Sequence, residues 1–324
     1  MKSRHPTLSR LLRIRSGGQT MLTIVIALPV IIGSMALVFD VGNLYWNKIR
    51  MQTATDSAVL SGAEYLPNYQ SQAISVATSY AEQNGIAASE IVSVTVSPDD
   101  KEIILTAART LPCYFCAVLG ESTAHAQSSP SGTAAAGSVT TISASGIVPI
   151  RSASGVVPIG IDYRTTLTFG QEVALKQGQL GPGNWGPLAL GSTGADAYRA
   201  NIETGYSGVL TAGTDWLQTE PGNIVGPTQD AFNYRINLGA DTDPGGTFAA
   251  HSLSDQRVML VPLVDFSNVN GSSEVPLKGF AMLWIVSIDG QGTIDCYFIQ
   301  QSVPNAIADS SGAATGATTA VLLK

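Results

Sequence analysis

An uncharged run near the N-terminus constrains this chain more than any other feature. No charged side chain occurs between Arg15 and Asp40, and most residues from 20 to 39 are aliphatic. A helix rises about 1.5 Å per residue, so this run can cross roughly 30 Å of hydrocarbon. The sequence therefore predicts a transmembrane helix over residues 20–39, with Pro29 tolerated as a kink. A buried core helix would not need so long an uncharged run.

The charges that flank the span predict its orientation. The basic residues before it, with no acid among them, are Lys2, Arg4, Arg10, Arg13 and Arg15. The positive-inside rule then assigns residues 1–19 to the cytoplasm and predicts export of everything after Asp40. A cleaved secretory signal is the alternative, because Gly33 to Ala36 offers a small-x-small site. The apolar run continues past that site, which favours an uncleaved anchor in the lipid bilayer.

Composition excludes several classes of function. The chain has 324 residues and a net charge of −7, but residues 1–50 hold seven Lys and Arg and one acid. The remainder holds ten basic and twenty-three acidic residues, so the predicted exported part is strongly acidic. This charge argues against nucleic acid as a partner, because phosphate contacts need basic patches. Three cysteines are also too few for a disulfide-rich scaffold.

The residues after the span predict an α+β domain over residues 40–136. Helical spacing continues from Asp40 to Leu66, so the membrane helix is expected to extend outward as one rod. A second helix is predicted over residues 70–83, ending at Asn84-Gly85. Its expected packed face consists of Ile74, Ala77, Tyr80 and Ala81.

Alternating residues predict a hairpin in the same domain. Residues 91–96 and 102–109 alternate at period two on either side of a turn that begins at Pro98. A short helix is expected from Pro112 and a third strand over residues 122–127.

A composition change predicts a domain boundary after this region. Residues 137–155 are rich in Ser, Gly, Ala and Thr and are predicted to be a linker. Within and after it, the segment Ala144–Ile150 recurs in similar form as Ala153–Ile159, which suggests two similar edge segments. One duplication is too little for a solenoid.

The last part of the chain predicts a mostly β domain over residues 156–303 and a flexible tail over residues 304–324. Its clearest strands are residues 257–264, 279–288 and 293–299, the last two joined by a turn at Asp289. Its one predicted helix covers residues 195–203, opened by Thr193 with Asp196 at capping-box spacing and closed near Gly205.

The first 136 residues contain a recognisable set of motifs: Gly18-Gln19, Leu28-Pro29, Phe39 to Tyr45, Gln52, Asp56, Ser57, Ala58, Leu60, Gly62-Ala63 and the segment Phe115 to Gly120. With these motifs, this region resembles the TadE/TadG-like proteins of Flp (Tad) pilus assembly. Four later segments, at residues 158–160, 183–188, 221–229 and 261–264, look like the C-terminal region of larger TadG-like proteins.

The resemblance implies an α+β protein with one N-terminal transmembrane helix extended into a pilin-like domain, followed by the mostly β domain. It also implies a bacterial cytoplasmic membrane location and partners among other pilin-like or Tad secretion-machine membrane proteins. Pilin-like substrates of prepilin peptidase carry Glu five residues after the cleavage point. Counted from Gly18 that position is Thr23, which leaves processing open and argues against a polymerising major pilin.

The sequence offers few groups for chemistry. Cys113 and Cys116 have redox-pair spacing at a predicted helix start, but their apolar neighbours favour buried thiols or a local disulfide over redox or metal chemistry. The pairing of Cys296 stays open. The histidines His5, His125 and His251 are interpreted as ordinary surface or loop residues.

Two segments come close to metal-site patterns. Asp265 and Ser267 begin an adhesion-type metal motif, but Val269 replaces its second serine. Asp241, Asp243 and Asn237 offer calcium ligands without the bidentate Glu of an EF-hand, so a solvated turn is favoured. No catalytic residue, metal or cofactor is therefore predicted.

The functional prediction is a non-catalytic, membrane-anchored surface protein of Tad/Flp-type pilus assembly. Its helix would pack against other membrane helices through the small residues Gly33, Ser34 and Ala36. One alternative is a cell-wall-acting hydrolase using carboxylate pairs, for which Asp215 with Glu220 and Asp230 with Asp241 are the candidates. Another is a surface adhesin that binds polymer through exposed Trp185 and Trp216.

Overall fold

The computed structural model describes residues 17–111, 138–309 and 317–323, and the fold is α+β with a β-rich C-terminal region, as predicted. The described residues divide into two units. One contains residues 17–51, 108–111 and 138–141, and the other contains residues 52–107, 142–309 and 317–323.

Helices occur in both halves of the described sequence. They are α1 (Gly17–Ala63), α2 (Gln70–Gln83), a short 3-10 helix (Ala88–Glu90), α3 (Ala195–Thr204) and α4 (Val225–Thr242). The strands are β1 (Ile91–Val96), β2 (Glu102–Thr110), β3 (Ser138–Ala153), β4 (Ile161–Asp162), β5 (Glu172–Leu175), β6 (Leu188–Ala189), β7 (Leu210–Thr211), β8 (Trp216–Thr219), β9 (Val258–Val264), β10 (Glu274–Ile288), β11 (Ile294–Ile299), β12 (Gln301–Ser302), β13 (Ile307–Ala308) and β14 (Ala317–Leu323).

The predicted rod is confirmed as one helix. α1 runs for 47 residues and includes Pro29 without a break. Its last part buries Ala54, Ala58 and Ala63 at helical spacing, so that face of α1 belongs to a protein core.

The second helix has the predicted bounds but a different packed face. α2 buries Ala73, Ala77 and Ala81, which recur every four residues. Tyr80, expected on the buried face, is exposed instead. The buried face consists of alanines, and α1 approaches it closely at Gly62. The helix ends at Gln83 as predicted, and Gly85 follows with a left-handed φ of 90°.

Gly62 allows α1 and α2 to approach each other closely. A β-carbon added at this position would lie 2.8 Å from the carbonyl oxygen of Ala73 and 2.9 Å from Cβ of Ala77. It would also lie 3.0 Å from Cδ1 of Ile103 on β2. Only glycine therefore fits here without moving the backbone of α2.

The predicted hairpin is confirmed. β1 and β2 pair antiparallel, with Val96 opposite Ile103, and a bulge falls between Ile91 and Ser93. The inner face of β2 buries Ile103, Leu105 and Ala107 at period two. The hairpin therefore contributes one face to the same core as α2.

The segment expected to be a linker is instead the long strand β3, so that prediction is wrong. β3 has 16 residues, and its residues 144–149 pair antiparallel with β14. The duplicated segments also differ from the expectation: the first lies inside β3, and the second follows that strand with Gly155 at a φ of 78°. The small polar residues of this strand are compatible with burial because they find hydrogen-bond partners. Ser143 and Ser145, for example, are buried and hydrogen-bonded.

The predicted flexible tail also contains strand. Residues Ala317–Leu323 form β14, which pairs antiparallel with β3 and parallel with β12. Ala317, Thr318 and Thr319 are buried. The first sheet therefore has the order β1-β2-β3-β14-β12, and β7 and β13 also pair with β3. Low sequence complexity misled the prediction because small residues can pack closely between neighbouring strands.

The second sheet contains the three strands that were predicted most clearly. Its order is β4-β9-β10-β11-β5, and β8 pairs with β10 and β6. The central strand β10 buries a continuous apolar run from Phe280 to Ile285. The turn after β10 is closed by Asp289, whose Oδ1 accepts hydrogen bonds from the backbone N–H groups of Gln291 and Thr293, both 2.8 Å long.

Two features of the helices here differ from the prediction. α3 has Gly194 at its N-cap without a side-chain hydrogen bond, so the proposed capping box at Thr193 is wrong. α4 was not predicted at all, because Thr228 and Arg235 occupy positions on its buried face. Polar residues at those positions hide the helical period of apolar residues.

The contact at Gly62 predicts a sharp local sensitivity. Gly62→Ala is expected to destabilise the protein by about 1–3 kcal/mol, because the added methyl group forces the backbones of α1 and α2 apart. The measurement is urea unfolding in detergent, followed by circular dichroism. Gly42→Ala is the matched control in the same helix, since a β-carbon there meets nothing within 4 Å. Equal stability of the two variants would contradict the packing account.

Candidate functional site

The apolar part of α1 is exposed along its length. Met21 is 71% exposed, Ile26 63% and Val38 72%. Only 6% of the most apolar 18-residue window is buried, and the helix is long and apolar enough to cross a membrane. Its backbone groups are satisfied within the helix, which is the condition for entering hydrocarbon.

The small residues proposed for helix packing do not all lie on this surface. Gly33 and Ser34 are exposed, and an added β-carbon at Gly33 meets nothing within 4 Å. Ser34 Oγ donates to the carbonyl oxygen of Ile31 at 2.8 Å. Ala36 is buried, so its assignment to an open packing face is wrong. The exposed small-residue surface that remains for helix packing is therefore centred on Gly33.

The end of the apolar stretch carries an aromatic and basic group. Tyr45 and Trp46 are exposed, and the guanidinium of Arg50 lies 4.6 Å from the centre of the Trp46 ring. Amphipathic rings of this kind favour the membrane–water interface. A groove of about 390 Å³ runs from Met35 to Trp46 along the helix.

A polar cluster lies where α1 enters the protein core. Gln52 Nε2 donates to Asp56 Oδ1 at 2.7 Å and to Ser143 Oγ at 2.9 Å. The Ser143 hydroxyl on β3 lies 2.7 Å from Asp56 Oδ1 and 2.6 Å from Thr55 Oγ1. Gln52 and Asp56, which carry part of the family resemblance, therefore join α1 to β3.

The carboxylate pairs considered for a hydrolase are far apart. Asp215 and Glu220 flank β8 at its two ends. A strand rise of about 3.3 Å per residue separates their Cα atoms by roughly 16 Å, and side chains of opposite parity lie on opposite faces of the strand. Asp230 and Asp241 both lie on α4, where a rise of about 1.5 Å per residue separates them by roughly 16 Å along the helix axis. Glycoside hydrolysis needs carboxyl groups roughly 5–9.5 Å apart, so neither pair has that geometry.

The two segments resembling metal sites form hydrogen-bonded turns. Asp265 Oδ1 accepts from the backbone N–H and the hydroxyl of Ser267. These hydrogen bonds lower the pKa of Asp265. Asp243 Oδ2 accepts from the N–H of Ser252 at 2.7 Å, at the end of α4. Within the described ranges, no group of three or more His, Cys, Asp or Glu residues is placed to hold a metal.

Several predicted site residues fall outside the described ranges. These are Cys113, Cys116, His5, His125, the short helix from Pro112 and the strand over residues 122–127. Cys296 is described as a free, buried thiol, and burial raises its pKa well above the ordinary value. Cys296 is therefore packed as a core residue.

The remaining candidates are partly engaged in the fold. His251 is not a simple surface residue: its Nδ1 lies 3.3 Å from the Tyr69 hydroxyl, and its Nε2 lies 3.1 Å from Gln301 Oε1. Trp216 is exposed as expected, but Trp185 is only half-exposed. A pair of exposed tryptophans is thus reduced to one.

Lys176 is a buried lysine that was not predicted from the sequence. Lys176 is 8% exposed, and its Nζ donates to Thr228 Oγ1 at 3.0 Å and to the carbonyl oxygen of Ile224 at 3.2 Å. The buried Tyr198 hydroxyl lies 3.2 Å from the same Thr228 oxygen. Burial lowers the pKa of Lys176 to about 8. The buried partners of Lys176 lie about fifty residues later in the sequence, so local composition gives no sign of its burial.

Two other buried cations have structural partners. Arg235 donates to the backbone carbonyl oxygens of Gln256, Ile202 and Val258, at 2.8, 2.9 and 2.6 Å. Burial lowers its pKa to about 10. Arg257 forms a 2.6 Å ion pair with the buried Asp255. These contacts hold α4 beside the start of β9.

Lys176 predicts a pH-dependent stability. A folded pKa of about 8, below the unfolded value of about 10.4, means that the unfolded state binds more protons between these pH values. The free energy of unfolding is therefore expected to gain about 3 kcal/mol from this residue as pH rises from 7.5 to 10.5. Lys176→Met should remove that gain.

The measurement compares urea unfolding of the wild type and Lys176→Met at both pH values. The difference between the two proteins isolates Lys176, because other titrating groups are shared. The variant is expected to be the more stable protein at pH 7.5, with the advantage shrinking at pH 10.5. A difference that does not change with pH would contradict the assignment.

Comparison with known proteins places one part of this chain in a family. Residues 18–64 match the family described as putative Flp pilus-assembly TadE/G-like. Searches of curated proteins and of solved structures gave no match. The matched residues contain the exposed apolar helix and also Gln52, Asp56 and Gly62, which join that helix to the core. Residues 18–64 are therefore similar to the TadE/G-like family, which supports a protein related to pilus assembly.

Proposed function

We propose that this protein is a single-pass, non-catalytic component of Tad/Flp-type pilus assembly. Residues 20–39 of α1 form its anchor in the bacterial cytoplasmic membrane. Residues 1–19 lie in the cytoplasm, and the domains after Asp40 are exported. The observation that carries the proposal is the exposed apolar surface of α1 inside the segment that matches the family.

The energetics of that surface favour a bilayer. Burying one large aliphatic side chain contributes roughly 1.5–3 kcal/mol, and α1 exposes a continuous series of them. The basic residues before the span and the strongly acidic remainder support the orientation with the N-terminus inside. Tyr45 and Trp46 then lie at the outer interface.

The partners that suit this anchor are membrane helices of other pilin-like or Tad secretion-machine proteins. Lipid competes equally for a uniformly aliphatic helix, so association depends on close packing at small residues. Gly33 provides such a place, because no neighbouring atom fills the space beside it.

The non-catalytic part of the proposal is supported by the carboxylates. Asp215 and Glu220 each accept a backbone hydrogen bond, from Thr211 at 2.7 Å and from Gly194 at 3.3 Å. Their separation along β8 also exceeds that of a hydrolase pair. We assign the β-rich region the task of presenting a surface to other exported proteins.

The packing at Gly33 predicts a selective loss of partners. Gly33→Leu is expected to lower co-purification with Tad membrane proteins about tenfold, which corresponds to about 1.4 kcal/mol of helix association. Quantitative mass spectrometry after detergent extraction measures the effect. Val38→Leu is the control, since Val38 is an exposed aliphatic residue of the same helix. Equal recovery from Gly33→Leu and wild type would remove the proposed packing site.

A further inference from the structure

β1 is an edge strand of the first sheet. The strand order within the described residues begins with β1, which pairs on one side with β2. In an antiparallel pair, alternate residues direct their N–H and C=O groups to the neighbour and the intervening residues direct theirs outward. The outward groups of β1 have no strand partner in the part of the chain that the structure describes.

The strand is exposed, and its last four residues carry no protection against pairing. None of the six residues of β1 is buried, and Val92 is 65% exposed. Its sequence, Ile-Val-Ser-Val-Thr-Val, contains no charge and no proline. Native edge strands are normally blocked by lysine, proline or bulges. The bulge between Ile91 and Ser93 leaves the last four residues regular.

The surroundings of β1 are acidic. Residues 52–111 contain seven acids and two basic residues. Glu90 precedes β1, and Asp99 and Asp100 follow it, with Lys101 as the nearby cation. The Ser97 hydroxyl donates to Asp99 Oδ1 at 2.6 Å, which lowers the pKa of that carboxyl and keeps it charged.

From this open edge we propose that β1 binds an extended segment of another exported protein by β-strand addition. The segment has an uncharged, β-branched core of at least four residues and basic residues at its ends. Backbone hydrogen bonds to β1 supply the affinity, and the flanking carboxylates select the charge. This site lies outside the transmembrane segment and adds a second means of assembly to the proposed function.

Charge argues against a second copy of this chain as the occupant. If two β1 strands paired antiparallel, Glu90 of each copy would lie beside Asp99 and Asp100 of the other. Like charges in such positions are unfavourable, and one Lys101 per copy does not balance them. A basic partner meets no such repulsion.

The test measures binding of a synthetic peptide, Lys-Lys-Val-Thr-Val-Thr-Val-Lys-Lys, to the full chain in detergent at low salt. We expect saturable binding that falls at least tenfold when alternate backbone nitrogens of the peptide are methylated on the edge that pairs. Replacing the lysines by glutamates should weaken binding as strongly. Hydrogen exchange should slow at the outward amides of β1 when the lysine peptide is bound.

A pair of matched variants locates the site. Val92→Lys is expected to reduce binding about tenfold, because it places a cation at the bulge, directly before the four regular residues of β1 that pair. Val209→Lys should bind like wild type, because Val209 is also 65% exposed but lies outside β1. Circular dichroism verifies that both variants are folded.

Several results would overturn the proposal. These are absence of saturable binding, equal binding of the methylated peptide, or equal loss in the two lysine variants. A concentration-dependent dimer of the wild type that Val92→Lys dissociates would identify a second copy as the occupant and also reject the basic partner. Normal co-purification with Tad membrane proteins would separate such a failure from failure of the anchor.

Discussion

One helix has to satisfy two different surroundings, and the rest of the structure depends on that constraint. Between residues 20 and 39, α1 presents aliphatic side chains outward, where water would be unfavourable. From Ala54 to Ala63 the same helix presents small buried residues to a protein core. A continuous hydrogen-bonded backbone serves both parts, because a helix needs no outside partner for its peptide groups.

The contacts at the core end of α1 explain why the family resemblance extends beyond the apolar run. Gly62 permits the close approach of α2, while Gln52 and Asp56 bind Ser143 of β3. These residues fix α1 to two different elements by two different means, steric fit and hydrogen bonding. An isolated apolar helix would need neither contact, so the matched segment combines a helix apolar enough to cross a membrane with contacts to a folded domain.

Sequence patterns correctly predicted the elements in which the apolar residues follow one simple spacing. The uninterrupted run of α1, the alternation of β1 and β2 and the apolar strands β9, β10 and β11 all satisfied a simple spacing rule. Predictions failed where polar or small residues fill buried positions. β3 and β14 resemble a linker and a tail because Ser143, Thr318 and Thr319 pack inside a sheet, and long-range pairing between them is not visible in local composition.

The same difficulty affects the candidate sites. Lys176 and Arg235 are buried by contacts with residues far away in sequence, so their burial and altered pKa values had no local signal. Conversely, Ala36 belonged to the expected small-residue face by sequence but is buried. By contrast, the edge position of β1 among the described strands follows from sheet order, which local sequence does not reveal.

Protease protection tests the central claim, a single N-in, C-out span, most directly. The full chain with an N-terminal epitope is produced in bacteria, and right-side-out and inside-out membrane vesicles are treated with protease. With an N-in, C-out span, right-side-out vesicles are expected to keep only a short tagged fragment that resists extraction by alkaline carbonate. Inside-out vesicles should lose the tag and protect the large exported part. Release of intact protein by carbonate, or the reverse pattern of protection, would contradict it.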